Sequence, residues 1–432
     1  MRDALDDVLD RHRDGLGAGI TSVCSANPLV LQAACDQAAF ERRPLLVEAT
    51  SNQVDQFGGY TGMRPADFRD LVHAIADRAG LPRDLVVLGG DHLGPNVWRT
   101  SPAELAMSRA EDLVRAYVQA GYTKIHLDCS MACADDQEPL TDEVVAHRAA
   151  RLAAVAEDTA RRASGRSDLR YVVGTEVPVP GGAHEEITAL TPTTPAHAEA
   201  TLEAHRSAFA EAGLLDAWDR VVALVVQPGV EFDSVRVVDY DRERARPLSR
   251  MVEGRRLVFE AHSTDYQTMD NLTALVEDHW AVLKVGPGLT FALREALFAL
   301  AEVEAELVPA AERSDLPAVV EDVMLQQPRW WKGYYEGDEA AQRIARRYSY
   351  SDRVRYYWPD PRVSAAVDRL FENLRRRPAP LPVLSAHLPA QYARVRAGQL
   401  SADPLALALD HVRDVLRAYS QACTAEPARS LS

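Results

Sequence analysis

The sequence predicts a (β/α)8 TIM barrel with a helical C-terminal extension. Three observations predict it. Eight short runs rich in Val, Ile and Leu recur along roughly the first 300 residues, and each is followed by a polar or Gly-containing turn and then by a helical pattern. Eight is the strand number of such a barrel. After about Ala305 the strand pattern stops.

The eight runs are Gly19 to Cys24, Leu45 to Thr50, Leu85 to His92, Lys124 to Ser130, Tyr171 to Pro178, Val221 to Pro228, Arg256 to Ser263 and Ala281 to Gly288. Between them, Pro65 to Ala79 and Pro102 to Ala120 read as helices with ordinary end signals: Pro near the start, Gly after the end. A doubly wound open sheet would carry a Gly-rich turn after its first strand. Cys24-Ser25-Ala26-Asn27-Pro28 lacks the GxGxxG pattern, and no GxxxxGK[ST] run occurs. These absences argue against a nucleotide cofactor and a kinase. Residues 1–305 are therefore expected to form the barrel and 306–432 a helical extension packed on it. The aromatic run Arg353 to Trp358 in that extension either packs against the barrel or closes over its mouth.

With 48 Lys plus Arg against 64 Asp plus Glu, the formal charge is -16, which speaks against nucleic acid or an anionic membrane as the main partner. The first residues lack the apolar segment of a signal peptide, and no apolar run approaches a membrane span. A cytoplasmic protein is expected. Five cysteines without a CxxC pair suit reduced thiols better than disulfides or a structural zinc site.

Along a strand, residues two apart share a face, and the inward set at the C-terminal end of a barrel faces the active-site mouth. That rule places Glu48 on the second strand, Asp91 and His92 at the end of the third, His126 and Asp128 on the fourth and Glu176 on the fifth. Gln227 ends the sixth, Glu260 and His262 share a face of the seventh, and Lys284 lies on the eighth. Charged groups on apolar strands are costly to bury unless paired, hydrogen-bonded or bound to metal, so their convergence points to one shared site. His92, Glu176 and His262 would give a divalent ion (Zn, Mn, Ni or Co) three protein ligands and leave positions for substrate oxygens. Asp91 and Glu260 are the expected proton-transfer pair, with Asp128 as a further candidate. Glu48, Gln53, His126, Gln227, Lys284 and Arg353 are the expected substrate contacts. Lys284 has a second reading as the partner of a barrel carboxylate, and backbone amides near Gly286 or the Arg353/Arg355 pair are candidate phosphate holders.

Several stretches are specific enough to carry a family resemblance. Glu48-Ala49-Thr50-Ser51-Asn52-Gln53-Val54, Phe57 to Met63, Gly89-Gly90-Asp91-His92-Leu93-Gly94-Pro95-Asn96, Lys124 to Asp128, Gly174 to Gly182, Val226 to Asp233, Glu260-Ala261-His262-Ser263-Thr264-Asp265-Tyr266-Gln267 and Leu283 to Pro287 resemble the GatZ/KbaZ family. The resemblance continues from Tyr348 to Pro359 and so covers nearly the whole chain. It implies a subunit of class II tagatose-1,6-bisphosphate aldolase that supports a separate catalytic subunit. Asp91-His92 is also similar to the acid and zinc-ligand pair of catalytic class II aldolases, and His262 to their strand-seven zinc histidine. Gln227 stands where such an enzyme would have another zinc histidine. The alternative is a stand-alone metal-dependent 4-epimerase acting on a ketohexose or its 6-phosphate. Either way a homo-oligomer is expected.

Overall fold

The computed structural model describes residues 4–174 and 190–424. Eight parallel strands close into a barrel: β1 Ile20–Val23, β2 Leu45–Thr50, β3 Val86–Leu93, β4 Lys124–Leu127, β5 Arg170–Gly174, β6 Val221–Val225, β7 Val258–Ala261 and β8 Trp280–Val285. Each strand pairs with its sequence neighbours, and β1 closes the ring against β8 through Ile20 beside Val282 and Val23 beside Val285. All eight fall on the runs that the sequence marks, with β3, β5 and β8 each reaching one residue beyond their run. An antiparallel pair, Glu231–Phe232 with Val237–Val238, sits on the loop after β6.

Two glycines permit close approaches in the interior, one to a charged side chain and one to backbone. Gly89 lies beside Glu48 in the β2–β3 register. A Cβ at Gly89 would come within 2.8 Å of the Glu48 side chain, so the missing methyl is the space that Glu48 fills. At Gly94 a Cβ would stand 1.7 Å from the Asp128 carbonyl oxygen, which fixes how closely the end of β3 approaches β4.

The β3–β4 register slips between Gly90 and Leu93, and His92 takes a left-handed backbone with φ 48°. In a regular strand Asp91 and His92 would point to opposite faces. The bulge re-aims one of them, so that both border the same cavity.

Among the described residues the extension contains helices and no strand, and the expected boundary at residue 305 falls inside helix Pro287–Leu307. Its side chains share one apolar core with those of the barrel helices: Leu293 and Leu297 belong to the same buried cluster as Leu370, Phe371, Leu407 and Val412. The last helix, Pro404–Ala422, packs against helices Pro28–Glu41, Met269–Glu277 and Pro287–Leu307. Polar bonds anchor its end to the barrel. The Gly19 amide donates to the Cys423 carbonyl at 3.0 Å, and the Tyr419 hydroxyl donates to the Thr264 carbonyl at 2.7 Å. Among the described residues no helix is long and apolar enough to cross a membrane.

This shared core predicts that a chain ending at residue 400 does not fold as a barrel on its own. Thermal unfolding followed by circular dichroism should lose its cooperative transition. A cooperative melt within a few degrees of the full chain would contradict the shared core.

Candidate metal and sugar site

Below the barrel mouth lies a ladder of ion pairs. The Lys124 ammonium, wholly buried, donates to both oxygens of Glu48 at 2.8 Å and lies 2.7 Å from Glu260 Oε2. Ser22 adds a hydroxyl to Glu48 at 2.6 Å. One layer higher, Lys284 pairs with Glu260 Oε1 at 3.0 Å and with Asp91. Burial by itself would lower the pKa of each lysine, but the facing carboxylates outweigh it and raise both. For Glu260, burial pushes upward, and Lys124 and Lys284 more than offset it and hold the carboxyl well below its ordinary range.

Around Asp91 stand three imidazoles. His92, His126 and His262 have ring centroids 4.9 to 5.3 Å apart, and one ligand atom from each, with one from Asp91, lies within 4.8 Å of the others. Each outer ring is oriented from behind. His92 Nδ1 is 2.7 Å from Asp128 Oδ2, and Asp128 is itself fixed by the Ser130 amide and hydroxyl. His262 Nε2 is 3.1 Å from Glu260 Oε1. Burial, reinforced by the Lys284 cation, drives the His262 pKa down to about 3, so its ring is neutral, the state in which imidazole binds metal. His126 is pinned by the Gly174 carbonyl at 3.0 Å and by Asp91 at 3.0 Å.

The residues fit a divalent cation on charge as well as shape. Among the described residues of this cluster, four buried carboxylates (Glu48, Asp91, Asp128, Glu260) face two ammonium groups (Lys124, Lys284), so two negative charges lack a partner unless imidazoles are protonated. A dication beside three imidazoles would balance them, and the carboxylates behind His92 and His262 would then orient them as ligands. The cluster is compatible with a metal site.

Above the cluster opens a cavity of about 550 Å³. Asp91, His92, His262, Lys284 and Gln53 border it, with Asp265, Tyr60, Arg355, Tyr356 and Trp358. Other expected site residues lie elsewhere. Glu48 and Glu260 have no exposed surface and spend their oxygens on the lysines, and Asp128 spends one of its own behind His92. His126 stands in the His/Asp cluster rather than on the cavity wall. Gln227 is not among the residues that border the cavity, and its carbonyl oxygen braces its own turn, accepting from the Gly229 amide at 2.8 Å and the Val230 amide at 3.0 Å. Arg353 is likewise absent from the wall, because its guanidinium donates to the Trp330 carbonyl and stacks over Tyr334 at 3.2 Å, while Arg355 takes the lining position. Glu176 lies outside the described residues.

Lys124 and Asp265 carry weight that the sequence reading did not give them. A signal for Lys124 existed, since Lys124, His126 and Asp128 alternate on one face. For Asp265 no periodicity applies, because it lies in a loop. The aromatic run of the extension does close over the mouth: Tyr356 packs against Tyr60 at 4.8 Å between centroids and stacks on Trp330 at 4.7 Å.

Fold and site together define a (β/α)8 barrel protein with a buried His/Asp cluster compatible with a metal site. The sequence matches the D-tagatose-1,6-bisphosphate aldolase subunit GatZ/KbaZ-like family over residues 5–424, and the chain belongs to that family. It is similar to a probable tagatose 6 phosphate kinase from Sinorhizobium meliloti 1021, of known crystal structure, with 50% identity and a TM-score of 0.86 over 94% of this chain and 100% of the other. More distant likenesses are the YdjI aldolase from Escherichia coli K12, at 12% identity and TM-score 0.44 over 88% of this chain and 98% of that one. Fructose-bisphosphate aldolase from Campylobacter jejuni gives 12% and 0.44 over 87% and 95%.

The ion ladder generates a direct prediction. Lys124→Met leaves Glu48 without its cation and Glu260 with one fewer, so the variant should lose about 3–5 kcal/mol in a denaturant titration, and adding Glu48→Gln should recover part of that loss. A loss under about 1 kcal/mol would remove Lys124 from the center of the account.

Proposed function

We propose that this chain is itself an enzyme: a metal-dependent 4-epimerase that interconverts the fructose and tagatose configurations of a ketohexose or its phosphate. The observation that carries the reading is the completeness of the cluster. Three imidazoles, two of them oriented by buried carboxylates, and an Asp–Lys pair stand beneath a cavity roomy enough for a hexose. A chain whose whole role was to support a partner would have no need of such an arrangement.

The chemistry requires no second substrate. Removal of the C4 hydroxyl proton lets the C3–C4 bond break, its electron pair passing to the three-carbon half as an enolate while C4 becomes an aldehyde. The aldehyde rotates, the enolate attacks its other face, and the C4 oxygen regains a proton. Asp91 is suited to carry that proton. Burial would raise its pKa, but His92 and Lys284 outweigh burial and hold it well below the usual range, so it begins as the acceptor. Lys284 reaches the same cavity and supplies positive charge beside the developing oxygen anion. Glu260 and Asp128 act as positioning residues, the first for Lys284 and His262, the second for His92. His92, His126 and His262 would hold the ion, Zn, Mn, Ni or Co by the nature of the ligands, and it would supply Lewis-acid stabilization of negative charge on substrate oxygens.

A second reading follows from the family's description: support of a separate catalytic tagatose-bisphosphate aldolase subunit. A kinase is not proposed, since the sequence has no GxxxxGK[ST] run.

Purified chain, chelated and then restored with Zn, Mn, Ni or Co, is expected to interconvert fructose and tagatose or their 6-phosphates. Asp91→Asn should reduce that rate by about 10²- to 10⁴-fold with the fold intact. No turnover with any metal, together with rescue of a catalytic class II aldolase on mixing, would establish the supporting role instead.

A further inference from the structure

The two C4 epimers of a ketohexose carry O4 on opposite faces of the carbon chain. A side chain that takes the O4 proton from one epimer is therefore on the wrong face to return a proton to the other, and the exchange calls for two proton-transfer groups. Asp91 supplies one, from β3 of the barrel. The second has to border the same cavity and to lose and regain a proton readily. Most of the wall does not meet that requirement. Lys284 is paired with Asp91 and Glu260, and Asp265 is committed to backbone, its Oδ1 accepting from the Gly286 amide at 2.9 Å and the Gly288 amide at 2.7 Å. Burial holds the Cys24 thiol well above its ordinary range, and burial, reinforced by Tyr356, raises the Tyr60 phenol too.

Tyr356 is different. It lines the cavity from the short 3-10 turn Arg353–Tyr356 of the extension, a part of the chain separate from the strand that carries Asp91. Its hydroxyl oxygen accepts from Arg355 Nη2 at 3.1 Å, and the Arg353 and Arg355 guanidiniums lie 4.9 and 4.6 Å from its ring centroid. Both arginines send further side-chain hydrogen bonds to neutral oxygens, Arg353 to the Trp330 carbonyl and Arg355 to the Ser351 and Asp352 carbonyls. Two positive charges thus face one phenol. From other elements, the uncharged rings of Tyr60 and Trp330 pack on it at 4.8 and 4.7 Å, with Arg329 over Trp330. The carboxylates that act on Arg355 have partners of their own, Asp352 on Arg294 at 2.9 Å and Asp265 on its two amides. Burial alone would raise the Tyr356 pKa, but Arg355 and Arg353 outweigh it and bring it below the ordinary tyrosine range.

We infer that Tyr356 is the second proton-transfer residue of the proposed epimerization: its hydroxyl gives a proton to O4 as the C3–C4 bond re-forms, and Arg355 and Arg353 hold the phenolate left behind. This deepens the epimerase reading and rests on it. From one epimer, Asp91 takes the O4 proton and the C3–C4 electron pair passes to the three-carbon half as an enolate, leaving C4 as the aldehyde. That pair then closes on the other face of the aldehyde, and the O4 alkoxide takes the Tyr356 proton. Asp91 gives its proton to water and Tyr356 takes one back as product leaves, so protons balance over the cycle. From the other epimer the phenolate is the acceptor and Asp91 the donor.

The test uses the full chain loaded with Mn, comparing wild type with Tyr356→Phe and Asp91→Asn on fructose 6-phosphate and tagatose 6-phosphate, with a coupled dehydrogenase assay for the three-carbon aldehyde phosphate. Tyr356→Phe is expected to lose interconversion by about 10²- to 10⁴-fold while still cleaving one of the two epimers, and Asp91→Asn to cleave only the other. A merely structural defect would lower both cleavages alike. Ultraviolet titration of the full chain should also show one phenol ionizing ahead of the rest, absent from Tyr356→Phe. If that variant does not fold, Arg355→Met decides, since it should move the early phenol up among the others. Interconversion by Tyr356→Phe at the wild-type rate, equal loss of both cleavages, or no early phenol in wild type would overturn the role of Tyr356 and leave the epimerase reading standing. Failure of wild type to interconvert either the 6-phosphates or the free sugars would remove both.

Discussion

The Lys124 ammonium, held without any exposed surface between Glu48 and Glu260, is the contact on which the rest of the site depends. A buried charge is tolerated only when its partners are close and well aimed, and here the partners come from β2 and β7, on different sides of the barrel. Glu260 passes the constraint upward to Lys284 and His262, and Lys284 passes it to Asp91. The mouth is thus positioned from below by electrostatics and from outside by apolar packing. A repacking that displaced one strand would leave an ion without a counter-ion, and that penalty fixes the geometry of every group above it.

The barrel was legible because each strand combined apolar β-branched residues with a following turn and helix, and the two-residue alternation placed Lys284, His262, His126 and Glu260 on the inward face. Period alone fails at Asp91 and His92, which are adjacent and yet border one cavity. The register slip in β3 and the left-handed His92 backbone reconcile them, and a local bulge leaves no mark in hydropathy. Alternation also cannot rank depth. Glu48, Asp128 and Glu260 point inward but lie beneath or behind the groups that reach the cavity, so their oxygens face cations, imidazoles and amides rather than open space. Arg353 and Arg355 illustrate a related limit: on one short 3-10 turn, only tertiary contacts decide which guanidinium stacks on tyrosine and which faces the cavity.

The helical extension is part of the site, since Arg355, Tyr356 and Trp358 border the same cavity as the barrel groups. Tyr60, on the loop after β2, meets Tyr356 and Trp330 and joins the two parts over the mouth. Such a roof excludes water from the ion ladder, and lower polarity strengthens each of its pairs. The same enclosure makes any negative charge left unpaired around the imidazoles more costly, which favours either a bound cation or a proton on His92, whose pKa burial would lower but Asp91 and Asp128 raise.

A cobalt(II) titration of chelated protein shows whether a divalent ion occupies the cluster of Asp91, His92, His126 and His262. One equivalent per chain is expected to bind, with visible d–d absorption bands from imidazole ligation, and both should be lost on His92→Ala or His262→Ala. Absence of any bands, with binding no tighter than that of the histidine variants, would contradict a metal site there.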